Sequence, residues 1–533
     1  MIKQGKYQAF IGSVLRGCRS FFSVPFSLSF LPCFALSLSL GLSATVQAHE
    51  GHQDEDIILK DLGNLGEVDF KVSCDKPAQE AFNTGVALLH HMMYAQAEEL
   101  FQKWKQKSPG CAMMHWGYSM SLFHPLWPDK ISKMALAKGQ RAINKAAALK
   151  VPVREQAYIQ AAAEFYKDWK TVAEPQRIKA WADAHKGIYK QYPKDVDAIA
   201  FYGLAQLVVA SKTDKTFSAN KKAGELLAGI LESNPLHPGA IHYSIHAYDN
   251  PVLAEVGAEP ARAYDKIAPD VPHALHMPTH IFVRLGEWKD AISWNARSAK
   301  AALKYPSHGA TSMHYVHALD YLIYGQLQLG NGAEAVKVFE QSHAHHPMQN
   351  TFPVAYALST MPARISLEQQ QWQQASQLKT HEPSYINWDN FPQLEAISYF
   401  ARGLGAARSG NLDAARNALA TLNQLHAKAT AISPNYWAPL VNAQRKSVKA
   451  WLLFAEGKKQ KALALQREAA DIEDSLDKDP VTPGAVLPAR DLLGDMLLLD
   501  GKLEAAQQAY KASLKIGPNR RYSLEGIKKA KQI

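Results

Sequence analysis

The sequence predicts an all-α fold, a solenoid of stacked helical hairpins, and three observations predict it. Gly85, Ala97, Phe101 and Pro109 are spaced by 12, 4 and 8 residues. Near the other end, Leu493, Gly494, Leu497, Gly501, Ala506, Tyr510 and Pro518 repeat that ladder more fully. Between them, from about Ala78 onward, alanine-rich periodic segments alternate with turns at Pro109, Pro193, Pro235, Pro269, Gly330, Gly410, Gly457 and Gly501. No run of alternating strand residues interrupts them.

A small–large–proline ladder of this kind marks the tetratricopeptide repeat (TPR), a helix–turn–helix unit of about 34 residues. Small residues sit where the two helices cross closely, the large one fills the neighbouring groove, and proline ends the second helix. The ladder recurs at Ala223, Leu227 and Pro235, at Leu322, Gly330, Ala335 and Phe339, at Gly410, Ala415 and Leu419, and at Gly457 and Ala462. The helical part has room for on the order of 14 units, of which roughly eight or nine carry recognisable marks. The stretches around 120–180 and 340–395 are irregular. The expected product is a superhelix with a long concave face lined by first helices.

Three segments are expected. Residues 1–48 read as a signal peptide: Lys3, Lys6, Arg16 and Arg19 precede an apolar run from Phe21 to Leu42, and Val46-Gln47-Ala48 offers a cleavage site. A retained membrane anchor is the competing reading. Residues 49–77 form a polar N-terminal segment, and 78–533 the TPR-like solenoid. Cleavage leaves no transmembrane span and implies a periplasmic or secreted protein. It also lowers the net charge from +10 to +6, because all four charged residues of the leader are basic. With no dense basic run, nucleic acid is not an expected partner.

Cys18 and Cys33 leave with the leader, so Cys74 and Cys111 remain. In an oxidising compartment an even pair predicts a disulfide, worth about 3–4 kcal/mol in the chain-entropy picture. A reactive or metal-binding thiol pair is the alternative.

Histidine carries the most chemistry. The chain has 21, and they cluster between His237 and His317. His242 with His246, His276 with His280, and His314 with His317 have helix-face spacing, which puts two imidazoles side by side as a transition metal requires. His242 to His276 and His280 to His314 are each 34 residues, the repeat period. The six are therefore candidate ligands for zinc, copper, iron or manganese. Hydrogen-bonded packing against Tyr243, Asp249 or Asp320 is the alternative. Pro278 breaks the middle pair, so a helix is expected to start there and His276 to lie in the preceding turn. No Glu stands inside any pair as in a zinc-protease HExxH, and Glu287 and Asp249 are nearby carboxylates without an assigned role.

Other candidates are weaker. His90, His91, His115 and His124 flank the first repeat beside Trp116 and Trp127, where packing is the simpler role. A mature N-terminus at His49, with His52 close by, would offer a copper chelate. A ligand groove is expected to draw on His237, Tyr243, Asp249, His273, Arg284 and Arg364. Tyr356, Trp372, Tyr399, Arg402 and Arg490 could line it for anionic or peptide ligands.

Several strings carry a resemblance. They are Phe82-Asn-Thr-Gly-Val-Ala-Leu-Leu-His-His91, Cys111-Ala-Met-Met-His-Trp-Gly117, His237-Pro-Gly-Ala-Ile-His-Tyr-Ser-Ile-His-Ala-Tyr-Asp249, His273-Ala-Leu-His-Met-Pro-Thr-His-Ile-Phe282, and Pro480-Val-Thr-Pro-Gly484 followed by Leu487-Pro-Ala-Arg-Asp-Leu-Leu-Gly-Asp495. Over nearly the whole chain after the leader, the sequence resembles a family of exported bacterial TPR proteins. The resemblance implies the fold and an extracytoplasmic setting, and brings no reaction or ligand. His237, His242, His246, Asp249, His273, His276 and His280 stand in its motif strings and are candidates on that ground as well.

Two functions are therefore expected. One is a scaffold holding a peptide, protein or small ligand in its concave groove, with a His-rich metal site. The other is a metal-dependent hydrolase or oxidoreductase built on the same histidines. No phosphate loop, nucleophile elbow or dinucleotide fingerprint supports catalysis of another kind.

Overall fold

Helical hairpins follow one another along the chain in this computed structural model, which describes residues 62–127, 131–211, 214–307 and 309–532. The expected signal segment, most of the polar segment and the His49–His52 pair lie outside these residues.

Five hairpins come first: α1 (Lys76–His90) with α2 (Tyr94–Lys107), α3 (Ala112–Ser121) with α4 (Lys133–Ala147), α5 (Val153–Tyr166) with α6 (Glu174–Gln191), α7 (Val196–Val208) with α8 (Ser218–Ser233), and α9 (Pro238–Tyr248) with α10 (Ala254–Ile267). The sixth has a broken inner helix, α11 (Pro272–His276) and α12 (Pro278–Leu285), against α13 (Trp288–Ala302). Five more follow: α14 (Met313–Gln328) with α15 (Gly332–Ser342), α16 (Phe352–Glu368) with α17 (Trp372–Ser376), α18 (Pro392–Arg408) with α19 (Leu412–Ile432), α20 (Trp437–Ala455) with α21 (Lys459–Ser475), and α22 (Ala489–Leu499) with α23 (Leu503–Ile516). Helix α24 (Arg521–Gln532) caps the stack. No described helix is long and apolar enough to cross a membrane. The expected all-α repeat fold is the one observed, with the irregular stretches 120–180 and 340–395 supplying hairpins of their own.

The ladder residues do what the pattern implies. A Cβ on Gly85 or Gly117 would lie 2.2–2.3 Å from the Phe101 ring, and one on Gly494 or Gly526 would lie 2.4–2.5 Å from Tyr510. Each aromatic of a second helix is thus seated between two glycines of neighbouring first helices. Cys74 and Cys111 form the expected disulfide, tying the segment before α1 to the start of α3.

The inner helices are arranged in two circuits. Inner helices α1, α3, α5, α7 and α9 make a circuit in which α9 packs back on α1. Phe70, Phe82, Trp116, Tyr158 and Phe201 fill its centre, with ring centroids 4.8–6.1 Å apart. A second circuit runs through α14, α16, α18, α20 and α22 to α24, which returns to α14. Arg520 closes that seam by donating to the Tyr324 hydroxyl at 2.8 Å. The loop between α21 and α22 plugs the circuit. Tyr321 donates to Thr482 O (2.9 Å), and Arg364 to Ala485 O and Thr482 Oγ1 (3.0 Å each). The physical reason is that inner helices such as α3 and α14 are buried on nearly every face. Apolar surface of that extent is satisfied by closure, at roughly 25 cal/mol per Å².

Candidate metal centre

The break between α11 and α12 lies where the two circuits meet, and the histidines gather around it. As expected, Pro278 starts a new helix, and Met277 continues with helical angles (φ −54°, ψ −40°). His276 and His280 nevertheless converge: their Nε2 atoms are 3.0 Å apart. His317 from α14 completes a buried triad with them, its ring 4.3 Å from that of His276. His242 and His246 of α9 form a second triad with His273 of α11. In each triad one nitrogen per ring lies within 4.8 Å of the others.

Hydrogen bonds fix the tautomers of two members of the first triad, His276 and His280. Asn295 Nδ2 donates to Ala291 O at 2.7 Å, so the amide oxygen faces His276 Nδ1 at 2.8 Å and can only accept. His276 therefore carries its proton on Nδ1. His280 donates Nδ1–H to Asp249 Oδ2 at 2.9 Å. Both Nε2 atoms are then bare lone pairs pointing at one another. In the second triad His242 donates Nδ1–H to His90 O, leaving Nε2 without a partner among the described residues. An orienting bond on one ring nitrogen with the other left free is the arrangement of metal-ligating histidines.

The electrostatics favour neutral rings. Burial, then the neighbouring rings His317 and His280, holds the His276 pKa well below the ordinary imidazole value. Burial lowers His280 too, against the opposing Asp249. Burial takes His246 to about 3 and His314 to about 4. Neutral imidazole is the ligand form. Asp249 stays charged although buried. Lys478 (2.9 Å), Arg284 (2.9 Å) and the His280 bond hold its pKa well below the carboxylate range.

The structure sorts the remaining candidates. The pair His314–His317 divides: His317 joins a triad, while His314 stands against His273 and Trp127, with ring centroids 5.2 and 5.9 Å away. His273, expected in a ligand groove, is a triad member with both nitrogens unpartnered among the described residues. Asp249 orients His280, and Arg284 clamps Asp249 and Asp477. Glu287 is elsewhere, paired with Arg262. Tyr243 is buried against His90. Arg364 is fully buried on Asp320 inside the second circuit. Tyr356 joins Arg364 there. Trp372 instead stacks under Arg408, and Arg402 beside Tyr399 donates to Leu378 O. Tyr356 and Arg490, the latter paired with Asp474, line one pocket together with Arg284. His91, His115 and His124 are satisfied by hydrogen bonds, as packing residues.

A third cluster, His90, Asp197 and His237, has metal-like spacing but the wrong tautomer. His237 caps α9: its Nδ1 accepts the Ala240 N–H at 3.1 Å. Neutral His237 then carries its proton on Nε2, the atom a metal would need. Asn295 and the carboxylate Asp197 were not legible as candidates, since neither stands in a spacing pattern with the histidines.

A small pocket of about 60 Å³ opens on both triads. His246 and His273 line it from one, and His280 and His317 from the other. Met92, Met277, Met313, Trp127 and Val481 supply much of the remaining wall.

The fold and this centre define a helical-repeat protein with an internal, imidazole-lined cluster. No protein-family model and no curated protein matches the chain. Among solved structures, it is similar to yeast Tom70 (13% identity, 86% of this chain and 96% of that chain, TM-score 0.37). It is also similar to the human IFIT1 dimer with m7Gppp-AAAA (11%, 89% and 99%, 0.39) and to the P58(IPK) TPR domain (13%, 86% and 98%, 0.22). The fold assignment rests on the hairpins themselves.

Proposed function

We propose that this chain is an exported TPR protein whose business is a transition-metal centre at the junction of its two helical circuits. The carrying observation is the pair of lone pairs on His276 and His280, 3.0 Å apart with both Nδ1 atoms committed elsewhere. Two acceptors facing each other repel unless a cation lies between them. A metal with ligands at about 2.0–2.1 Å in tetrahedral geometry brings its nitrogens to roughly 3.3 Å, close to this separation. A shared proton is disfavoured by the same burial that lowers both pKa values. Three imidazoles per site, with no carboxylate among them, favour zinc, copper or iron over manganese. The basic, apolar leader supports export. The scaffold reading draws on a different observation, a cavity of about 120 Å³ in the second circuit lined by Arg284, Tyr356 and Arg490 among others.

The test is metal content of the untagged protein purified from its native compartment, by mass spectrometry. The proposal expects near-stoichiometric zinc, copper or iron, lost in the double variant His242→Ala, His280→Ala with helical content kept. A metal-free protein that stays empty after reconstitution sinks it.

The metal-enzyme reading draws on one observation, the pocket that reaches four of the ligating rings. Three protein ligands leave a fourth position, and a catalytic metal needs it open.

A further inference from the structure

The two triads are neighbours. His246 and His280 rings lie 6.4 Å apart, and His273 and His276 rings 6.2 Å apart. Each triad therefore faces the other through two of its three rings. Each supplies three nitrogens, so an ion in either keeps one position vacant under tetrahedral coordination. The pocket touches two rings of each triad, so one small space borders both.

We propose that the six histidines form a single dinuclear centre, whose two ions share a small bridging ligand of two or three atoms. This rests on the metal reading above and goes beyond it in number, geometry and ligand class. Pocket size sets the ligand class. A water needs about 10–15 Å³ on this scale, so about 60 Å³ has room for roughly four to six water-sized groups, and a ligand of two or three atoms fits. Pocket chemistry sets its charge. Apart from imidazoles the described wall is thioether, aromatic and aliphatic, with no Lys, Arg, Asp or Glu among the described residues, so none of these side chains brings a charge to hold an anion. The fitting molecules are neutral diatomics and singly charged linear anions. Thioethers of Met92, Met277 and Met313 at the rim, beside neutral imidazoles, suit copper better than a hard cation. Proximity of paired ions is the usual means of clamping two atoms of one small ligand.

The experiment reconstitutes the full mature chain with copper(II) and uses azide as the probe. Metal analysis should give two copper ions per chain. Electron paramagnetic resonance should integrate to well under two spins once azide is added, because a shared bridge couples the ions. The azide-to-copper charge-transfer band should saturate at one azide per two copper. His246→Ala and His317→Ala, each removing a ring from a different triad, should halve the copper, restore a full single spin and remove the bridged band. The wild-type spin count needs no variant and stands even if one of these fails to fold. Two copper ions that keep two full spins with azide, or azide bound one per copper, overturn the shared centre while leaving the metal reading intact. One copper per chain does the same. No copper at all removes the metal reading and the dinuclear centre together.

Discussion

His276 and His280 point their Nε2 atoms at one another across 3.0 Å, with Asn295 and Asp249 holding the opposite nitrogens. A four-residue spacing interrupted by Pro278 makes this contact, because the helix restarts in nearly the same direction after the break. On the proposed metal reading this contact is unfavourable without a cation and favourable with one, so metal binding would stabilise the fold.

Chelation should reveal that coupling. A ligand at 100 times its dissociation constant stabilises the native state by about 2.7 kcal/mol. Removing metal with a strong chelator is expected to lower the melting temperature by several degrees, and adding it back to restore it. His276→Ala should show no response to either treatment. The measurement is calorimetry of the loaded, stripped and reloaded protein.

Asp249 is the keystone of the orienting shell. Its carboxylate takes Nδ1–H of His280 and the charges of Arg284 and Lys478. Asp249→Asn should weaken metal affinity by about 10–100-fold, the usual cost of losing an orienting partner. It should also destabilise the fold by about 3–5 kcal/mol, since buried Lys478 loses its paired carboxylate and Arg284 keeps only Asp477. Competition with a coloured chelator reads the first and denaturant unfolding the second. Unchanged affinity in a folded variant would remove Asp249 from the centre.

Asp197 gives a pH signature outside the two triads. Burial, then the like charge of Asp195, raises its carboxyl pKa to about 7, against the opposing Arg154. A raised acid pKa means stability that is full below the unfolded value near 3.8 and is lost as pH rises toward 7. Asp197→Asn abolishes that loss. The variant should therefore gain on the wild type between pH 4 and 7, by on the order of a few kcal/mol. Paired urea titrations at several pH values measure the difference, and a constant offset would contradict it.

Gly494→Ala tests the ladder. The added methyl would sit 2.5 Å from the Tyr510 ring, whose hydroxyl is held by Asp495 at 2.7 Å. The ring cannot retreat without breaking that bond. Overpacking of this kind costs about 1–3 kcal/mol. Gly229→Ala, on the outer face with nothing within 4 Å, should be neutral or slightly stabilising through helix propensity. Thermal unfolding of the pair separates the two effects.

By itself the sequence determined what is local and periodic. The Gly85–Phe101 and Gly494–Tyr510 ladders specify helix crossings, because a glycine and an aromatic at fixed separation pack in only one way. The disulfide of Cys74 and Cys111 and the break at Pro278 were legible for similar reasons, as were the pairs His242–His246 and His276–His280. The tertiary structure alone decided which rings join across helices. His317 completes one triad and His273 the other, while His314 is left beside Trp127, since three-residue spacing fixes neighbours on a helix and not what faces them. Asn295 entered the centre from α13, and Lys478 from the α21–α22 loop. The closure of each circuit was also beyond the sequence. Curvature accumulates from small rotations at every hairpin, and the apolar inner faces of α3 and α14 are satisfied only when the circuit meets its own beginning.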